Sequence, residues 1–80
     1  MWVRPKDHRF VGKALADVRE RANVTQQELA TRLGKPQSFV SAYERGQRRI
    51  DILEFLRIAD ALQADPYQIF LSILERRPRH

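Results

Sequence analysis

The 80-residue sequence predicts an all-α domain of five short helices. Three observations carry that reading. No stretch alternates apolar and polar residues over enough positions to make a strand, whereas apolar residues return at helical spacing from Phe10 to Leu74. Helix-start signatures recur, with an oxygen-bearing cap residue followed three positions later by Glu or Gln. Glycine is scarce, and proline falls between the periodic segments rather than inside them.

The first helix is predicted from about His8 to Ala22, with Asp7 as its cap and Asn23 leaving it in a left-handed conformation. The second has the clearest start. In Thr25-Gln26-Gln27-Glu28 the Thr25 hydroxyl is placed to accept from the amide of Glu28, and the Glu28 carboxylate to accept from the amide of Thr25; Val24 and Leu29 flank this box as an apolar staple. Leu29, Ala30 and Leu33 form the buried face, and Gly34 ends the helix. The third helix follows almost at once, with Pro36 at its first position. Lys35 accepts no hydrogen bond and so cannot cap it, which leaves the leading amides open to water or to a phosphate. Phe39, Val40 and Tyr43 are its apolar positions, and Gly46 stops it. The fourth helix repeats the box with Asp51 and Glu54, flanked by Ile50 and Phe55; Ile52, Phe55, Leu56, Ala59 and Leu62 are expected to face inward, with Ile58 beside them. The fifth opens at Asp65-Pro66, with Gln68 completing a third box. Residues 1–7 are then a basic arm, 8–75 the folded domain, and 76–80 a frayed basic tail.

Composition narrows the function. Cysteine is absent, and His8 and His80 lie near opposite ends, so neither disulfide, thiolate chemistry nor a metal site is expected. No apolar run reaches the roughly 20 residues that span a bilayer, and the first residues contain no apolar segment of signal-peptide length. The expectation is a cytoplasmic domain without a cofactor. Net charge is +5, and twelve of the fifteen basic residues are arginine, the side chain suited to forked phosphate contacts. Residues 1–24 and 25–49 each carry +3, 50–75 carry −4, and 76–80 carry +3. An anionic partner is therefore expected on the first half of the domain and the tail.

The informative unit runs from Gln26 to Glu44. Leu33-Gly34-Lys35 is so short a connection that the third helix must turn sharply off the second. Close crossing demands a small residue, supplied by Ala30, and Val40 is placed to plug the angle between the helices. This spacing describes a helix-turn-helix, although a plain helical hairpin shares it. Taken together, TQQELATRLGKPQSFVSAYERGQRR followed by IDILEFLRIADALQADP resembles the Cro/cI-type (XRE-family) helix-turn-helix domains of bacterial and phage regulators, over roughly residues 8–72. The resemblance implies a compact five-helix, lambda-repressor-like fold that binds double-stranded operator DNA, usually as a dimer, with the third helix in the major groove.

It also implies roles for residues. Gln26, at the start of the second helix, matches a residue that bonds a phosphate, in keeping with the positive end of a helix. Pro36, Gln37, Ser38, Ser41 and Ala42 share the side of the third helix opposite Val40 and Tyr43. Gln37 is the best base reader, since a side-chain amide grips adenine through two hydrogen bonds. Ser38 and Ser41 suit any base or a phosphate, while Pro36 and Ala42 offer apolar contact. No Arg or Asn stands on this face, so modest specificity with a contribution from DNA shape is expected. Lys35, Arg45, Gln47, Arg48 and Arg49 are the phosphate candidates around it. Arg19 and Glu44 match an ion pair that orients the reading helix. Phe39 is left between packing on the first helix and lying on the DNA backbone.

Phe70, Ile73 and Leu74 exceed what one helix face needs for its own core, which points to a homodimer patch. The 80 residues leave no room for a ligand-sensing domain, so no small-molecule ligand is expected, and regulation falls to dimerisation, abundance or a partner protein. No nucleophile–base pair, metal set or phosphate loop argues for an enzyme. The competing reading is a protein–protein adaptor on the same fold, of antitoxin-like or coactivator-like type.

Overall fold

A computed structural model describes residues 8–78. The basic arm, with the expected Asp7 cap, and the last two residues lie outside that range. The described residues form five helices and no strand: α1 (Arg9–Arg21), α2 (Gln26–Leu33), α3 (Gln37–Glu44), α4 (Ile52–Ala61) and α5 (Pro66–Arg76). α1 packs on α5 and α3, α2 on α3 and α4, and α4 on α5. They enclose one core built from Leu15, Leu29, Ala30, Val40, Tyr43, Ile58, Ala59 and Ile69 among others.

Local chemistry sets the boundaries. Two of the three expected boxes form: Thr25 accepts from the Glu28 amide at 3.0 Å and the Glu28 carboxylate accepts from the Thr25 amide at 2.8 Å, with the same exchange between Asp51 and Glu54 at 2.7 and 3.0 Å. The third does not. Asp65 accepts from the amide of Tyr67 instead of that of Gln68. Its ψ of 115° differs from the 163° and 171° of Thr25 and Asp51, which turns the carboxylate toward the nearer amide. Pro36 stands one residue before α3 instead of opening it, because its ψ of 156° keeps it extended. Asn23 is left-handed at φ 58°, as expected, and so is Gln63 at φ 53°. Arg76 belongs to α5 and pairs with Asp17 of α1, so the helix runs one residue into the expected tail.

The α4 face departs from the sequence reading. Ile58, Ala59 and Leu62 are buried, but Ile52 is 73% and Leu56 42% exposed. Leu56 lies roughly a third of a turn off the buried stripe, and Ile52 sits in the first turn. Ile73, expected on the dimer patch, points into the domain's own core, whereas Phe70 and Leu74 remain exposed with Tyr67 and Leu71.

Two glycines set the spacing of helices. Gly34 takes φ 68° at the end of α2, and the Lys35 amide closes back on the Ala30 carbonyl at 2.9 Å, giving the sharp turn into α3. Gly12, in the middle of α1, lies against the end of α3: a Cβ there would overlap the Tyr43 carbonyl oxygen and come within 2.5 Å of that of Glu44.

Candidate nucleic-acid interface

The site is built from the turn outward. Ala30 and Val40 are fully buried where α2 meets α3, so the crossing is close and the opposite side of α3 faces outward. Pro36, Gln37 and Ser38 are exposed, while Ser41 and Ala42, one turn on, are half-buried. No side chain caps α3, and the Phe39 amide closes on the Pro36 carbonyl at 3.0 Å, so the amides of Gln37 and Ser38 lead the helix at the end that carries the Gln37 side chain. The expected reading face is therefore a solvent-facing surface.

Behind it, a chain of polar side chains runs from α1 to Gln37. Arg19 grips Glu44 with two parallel bonds, Nε to Oε2 at 2.7 Å and Nη2 to Oε1 at 3.1 Å, and donates Nη1 to the Val24 carbonyl at 2.8 Å. The two side chains are 11% and 6% exposed, so the implied ion pair is largely sheltered. The hydrogen bond to Glu44 raises the Arg19 pKa further above its ordinary value. Glu44 Oε1 also accepts from Gln26 Nε2 at 2.9 Å, and Gln26 Oε1 accepts from Gln37 Nε2 at 3.3 Å. Because a carboxylate only accepts, Glu44 fixes which way the Gln26 amide faces, and Gln26 in turn orients Gln37. Sequence reasoning gave Gln26 a phosphate alone and missed this link. Tyr43 lies behind the pair, 1% exposed, its hydroxyl without a hydrogen-bond partner among the described residues and its pKa pushed up by burial.

The phosphate candidates flank α3, with Lys35 before it and Arg45, Gln47, Arg48 and Arg49 after it. Lys35, Arg45, Gln47, Arg48 and Arg49 are all exposed. Phe39 packs edge-on against Tyr43, with ring centres 5.5 Å apart, and carries Arg48 at 4.6 Å and Lys35 at 5.7 Å from its ring centre. It thus lies on the α4 side, beside Leu33, Glu54 and Ile58. Arg48 also binds Glu54 through two bonds. Arg32, unremarked in the sequence, donates to the Ala61 carbonyl at 2.8 Å and closes the end of α4.

Two carboxylates are held below their ordinary range. Glu54 is lowered first by Arg48 and then by the Asp51 amide, and Glu28 by the Thr25 amide and hydroxyl. Folded pKa values below the unfolded ones stabilise the fold above about pH 4.3, and that contribution is lost as pH falls through the depressed values. Thermal unfolding should therefore be flat near neutrality and fall under acid, with a shallower acid limb in the Glu28→Gln variant. Equal limbs in both proteins would assign the acid sensitivity elsewhere.

The fold and this face define a helix-turn-helix domain of the class found in DNA-binding regulators. The helix-turn-helix family model matches residues 15–69, and the chain belongs to that Cro/cI-type (XRE) family. An XRE-family like protein from Pseudomonas syringae pv. tomato is 38% identical, with 90% of this chain and 88% of that one covered and a TM-score of 0.76. The restriction-modification controller protein C.AhdI from Aeromonas hydrophila is 33% identical over 80% of this chain and 97% of that one, with a TM-score of 0.74. The controller protein C.Esp1396I, solved as a tetramer on its natural 35 base-pair operator, shares the fold at 20% identity and a TM-score of 0.78, with 88% and 92% covered. A search of curated proteins gives no match. Among the described residues no helix is long and apolar enough to cross a membrane.

Proposed function

We propose that the chain is a sequence-specific double-stranded DNA-binding protein, a small transcriptional regulator that acts in the cytoplasm as a dimeric repressor. The observation that carries this reading is the exposed N-terminal half of α3, uncapped, with Gln37 held outward through Gln26, Glu44 and Arg19. In the major groove Gln37 reads adenine, its Oε1 accepting from N6 and its second Nε2 hydrogen donating to N7. Ser38 and Ser41 add hydrogen bonds to base edges or phosphates, and Pro36 and Ala42 add apolar contact. Lys35, Arg45, Gln47, Arg48 and Arg49 bind the backbone on either side, which fixes register without reading sequence. That C.Esp1396I, a protein of the same fold, is solved as a tetramer on its operator supports duplex DNA as the partner.

Dimerisation is assigned to the apolar surface of α5, Phe70 and Leu74, joined by Tyr67 and Leu71 and by Ile52, Leu53 and Leu56 of α4. We assign a second copy as its occupant, since two-fold dimers are the commonest oligomers; to read two half-sites, that dimer needs its reading helices about 34 Å apart, one turn of the duplex.

Retardation of random-sequence duplex tests both parts. A dimer that neutralises about six to eight phosphates should show a log–log salt slope of roughly −5 to −7, and a Phe70→Glu variant that sediments as a monomer about half of that. Failure to retard duplex even at low salt would favour the adaptor reading. An unchanged slope and mass for Phe70→Glu would remove the dimer from this face.

A further inference from the structure

Among the phosphate candidates, Arg48 has a guanidinium whose geometry is set by side chains of two helices, Glu54 of α4 and Phe39 of α3. Nη1 donates to Glu54 Oε1 at 3.0 Å and to the Arg49 carbonyl at 2.7 Å, which uses both of its hydrogens. Nη2 donates one hydrogen to Glu54 Oε2 at 2.9 Å. The Phe39 ring lies 4.6 Å from the guanidinium carbon. Glu54 is itself immobilised, since its Oε1 accepts from the Asp51 amide at 3.0 Å and its own amide is bound by Asp51. The carboxylate thus occupies the end-on edge of the guanidinium. The Nε–H and the second Nη2 hydrogen, which lie together along the side-on edge, have no acceptor among the described residues. The side chain is 43% exposed, so this second fork is reachable.

We propose that Arg48 is a pre-set two-pronged clamp for one DNA backbone phosphate, with Glu54 and Phe39 as the positioning residues that hold its side-on edge outward. The proposal rests on the DNA-binding reading and adds to it a role for an acidic residue. A carboxylate beside a phosphate site ordinarily opposes binding by charge. Here Glu54 removes the rotamer freedom that Arg48 would otherwise lose on binding, and it leaves intact the pair of donors whose spacing matches two phosphate oxygens. A free arginine in an exposed loop has neither advantage.

The sign of one substitution separates the two effects. Glu54→Gln removes a negative charge near the DNA while glutamine keeps the helix-start role at that position. Charge alone makes this variant bind more tightly; the clamp makes it bind about three- to tenfold more weakly, equally on every duplex, because a phosphate contact carries no sequence information. Arg48→Lys, which keeps the charge and loses the fork, should weaken binding by a similar factor. In an Arg48→Ala background, Glu54→Gln should no longer weaken binding and should tighten it slightly. Thermal unfolding checks that each variant is folded at the assay temperature; if Glu54→Gln is not, Arg48→Lys decides alone. The clamp is overturned if Glu54→Gln binds as well as or better than the parent, or if Arg48→Lys matches the parent. Were the parent to bind no duplex, the DNA-binding reading would fail first and take the clamp with it, a result unlike variants that match a binding parent.

Discussion

Replacing Gly12 with alanine is expected to destabilise the domain by about 3 kcal/mol, with a fall in Tm of roughly 15 °C. Alanine is the better helix former by about 1 kcal/mol, so on an isolated helix the change would be favourable. In the folded domain the added Cβ overlaps the Tyr43 carbonyl and lies within 2.5 Å of the Glu44 carbonyl oxygen and 2.7 Å of its carbonyl carbon. These are backbone atoms at the end of α3, so no rotamer change relieves the overlap. α1 and α3 must move apart, which strains the Arg19–Glu44 pair that spans the same junction. Circular dichroism melts of the two proteins measure the effect. A Gly12→Ala variant as stable as the parent would show that the α1–α3 approach is looser than described.

Loss of Arg19 is expected to cost about 3–5 kcal/mol, because it strands Glu44 in a site that shelters it from water. Arg19→Met should unfold at markedly lower temperature than the parent, while the double variant Arg19→Met, Glu44→Leu should recover most of the loss, since no uncompensated charge remains. Function divides differently from stability. Glu44 anchors Gln26, and Gln26 orients Gln37. The double variant should therefore be folded yet bind its preferred duplex less selectively, as the amide that reads the base is no longer fixed. A double variant no more stable than Arg19→Met would mean that the bonds of this pair, and not relief of a buried charge, dominate. The Arg19 bond to the Val24 carbonyl is lost in both variants and sets the part that is not recovered.

What the sequence made legible were features encoded locally. The boxes at Thr25–Glu28 and Asp51–Glu54, the left-handed Asn23 and the turn at Gly34 each depend on side chains within a few residues, and each forms as read. Errors arose where distant packing decides. Ile52 and Leu56 have the helical spacing of core residues, but remain exposed among the described residues; Ile73 fits an exposed patch by pattern and is claimed by the core. Asp65 carries the sequence of a box, but its backbone angle directs the carboxylate to Tyr67. Gly12 drew no attention, although a glycine beside Ala14 and Leu15 in a helix interior is costly unless a backbone approaches it. In the site, the exposed face of α3 and the Arg19–Glu44 pair followed from motif and resemblance. The bond from Gln26 to Gln37 and the grip of Glu54 on Arg48 join residues 11 and 6 positions apart across a turn, and spacing rules do not encode such contacts.

Selection of bound fragments from a randomised duplex pool, run in parallel for the parent and Gln37→Ala, tests the outward reading face of α3 most directly. The expected result is a parent motif with adenine at one fixed position in each of two half-sites about one helical turn apart. The Gln37→Ala motif should lose preference at that position alone and keep the parent's salt dependence. An identical motif from both proteins would contradict the assignment of α3 as the element that reads the bases.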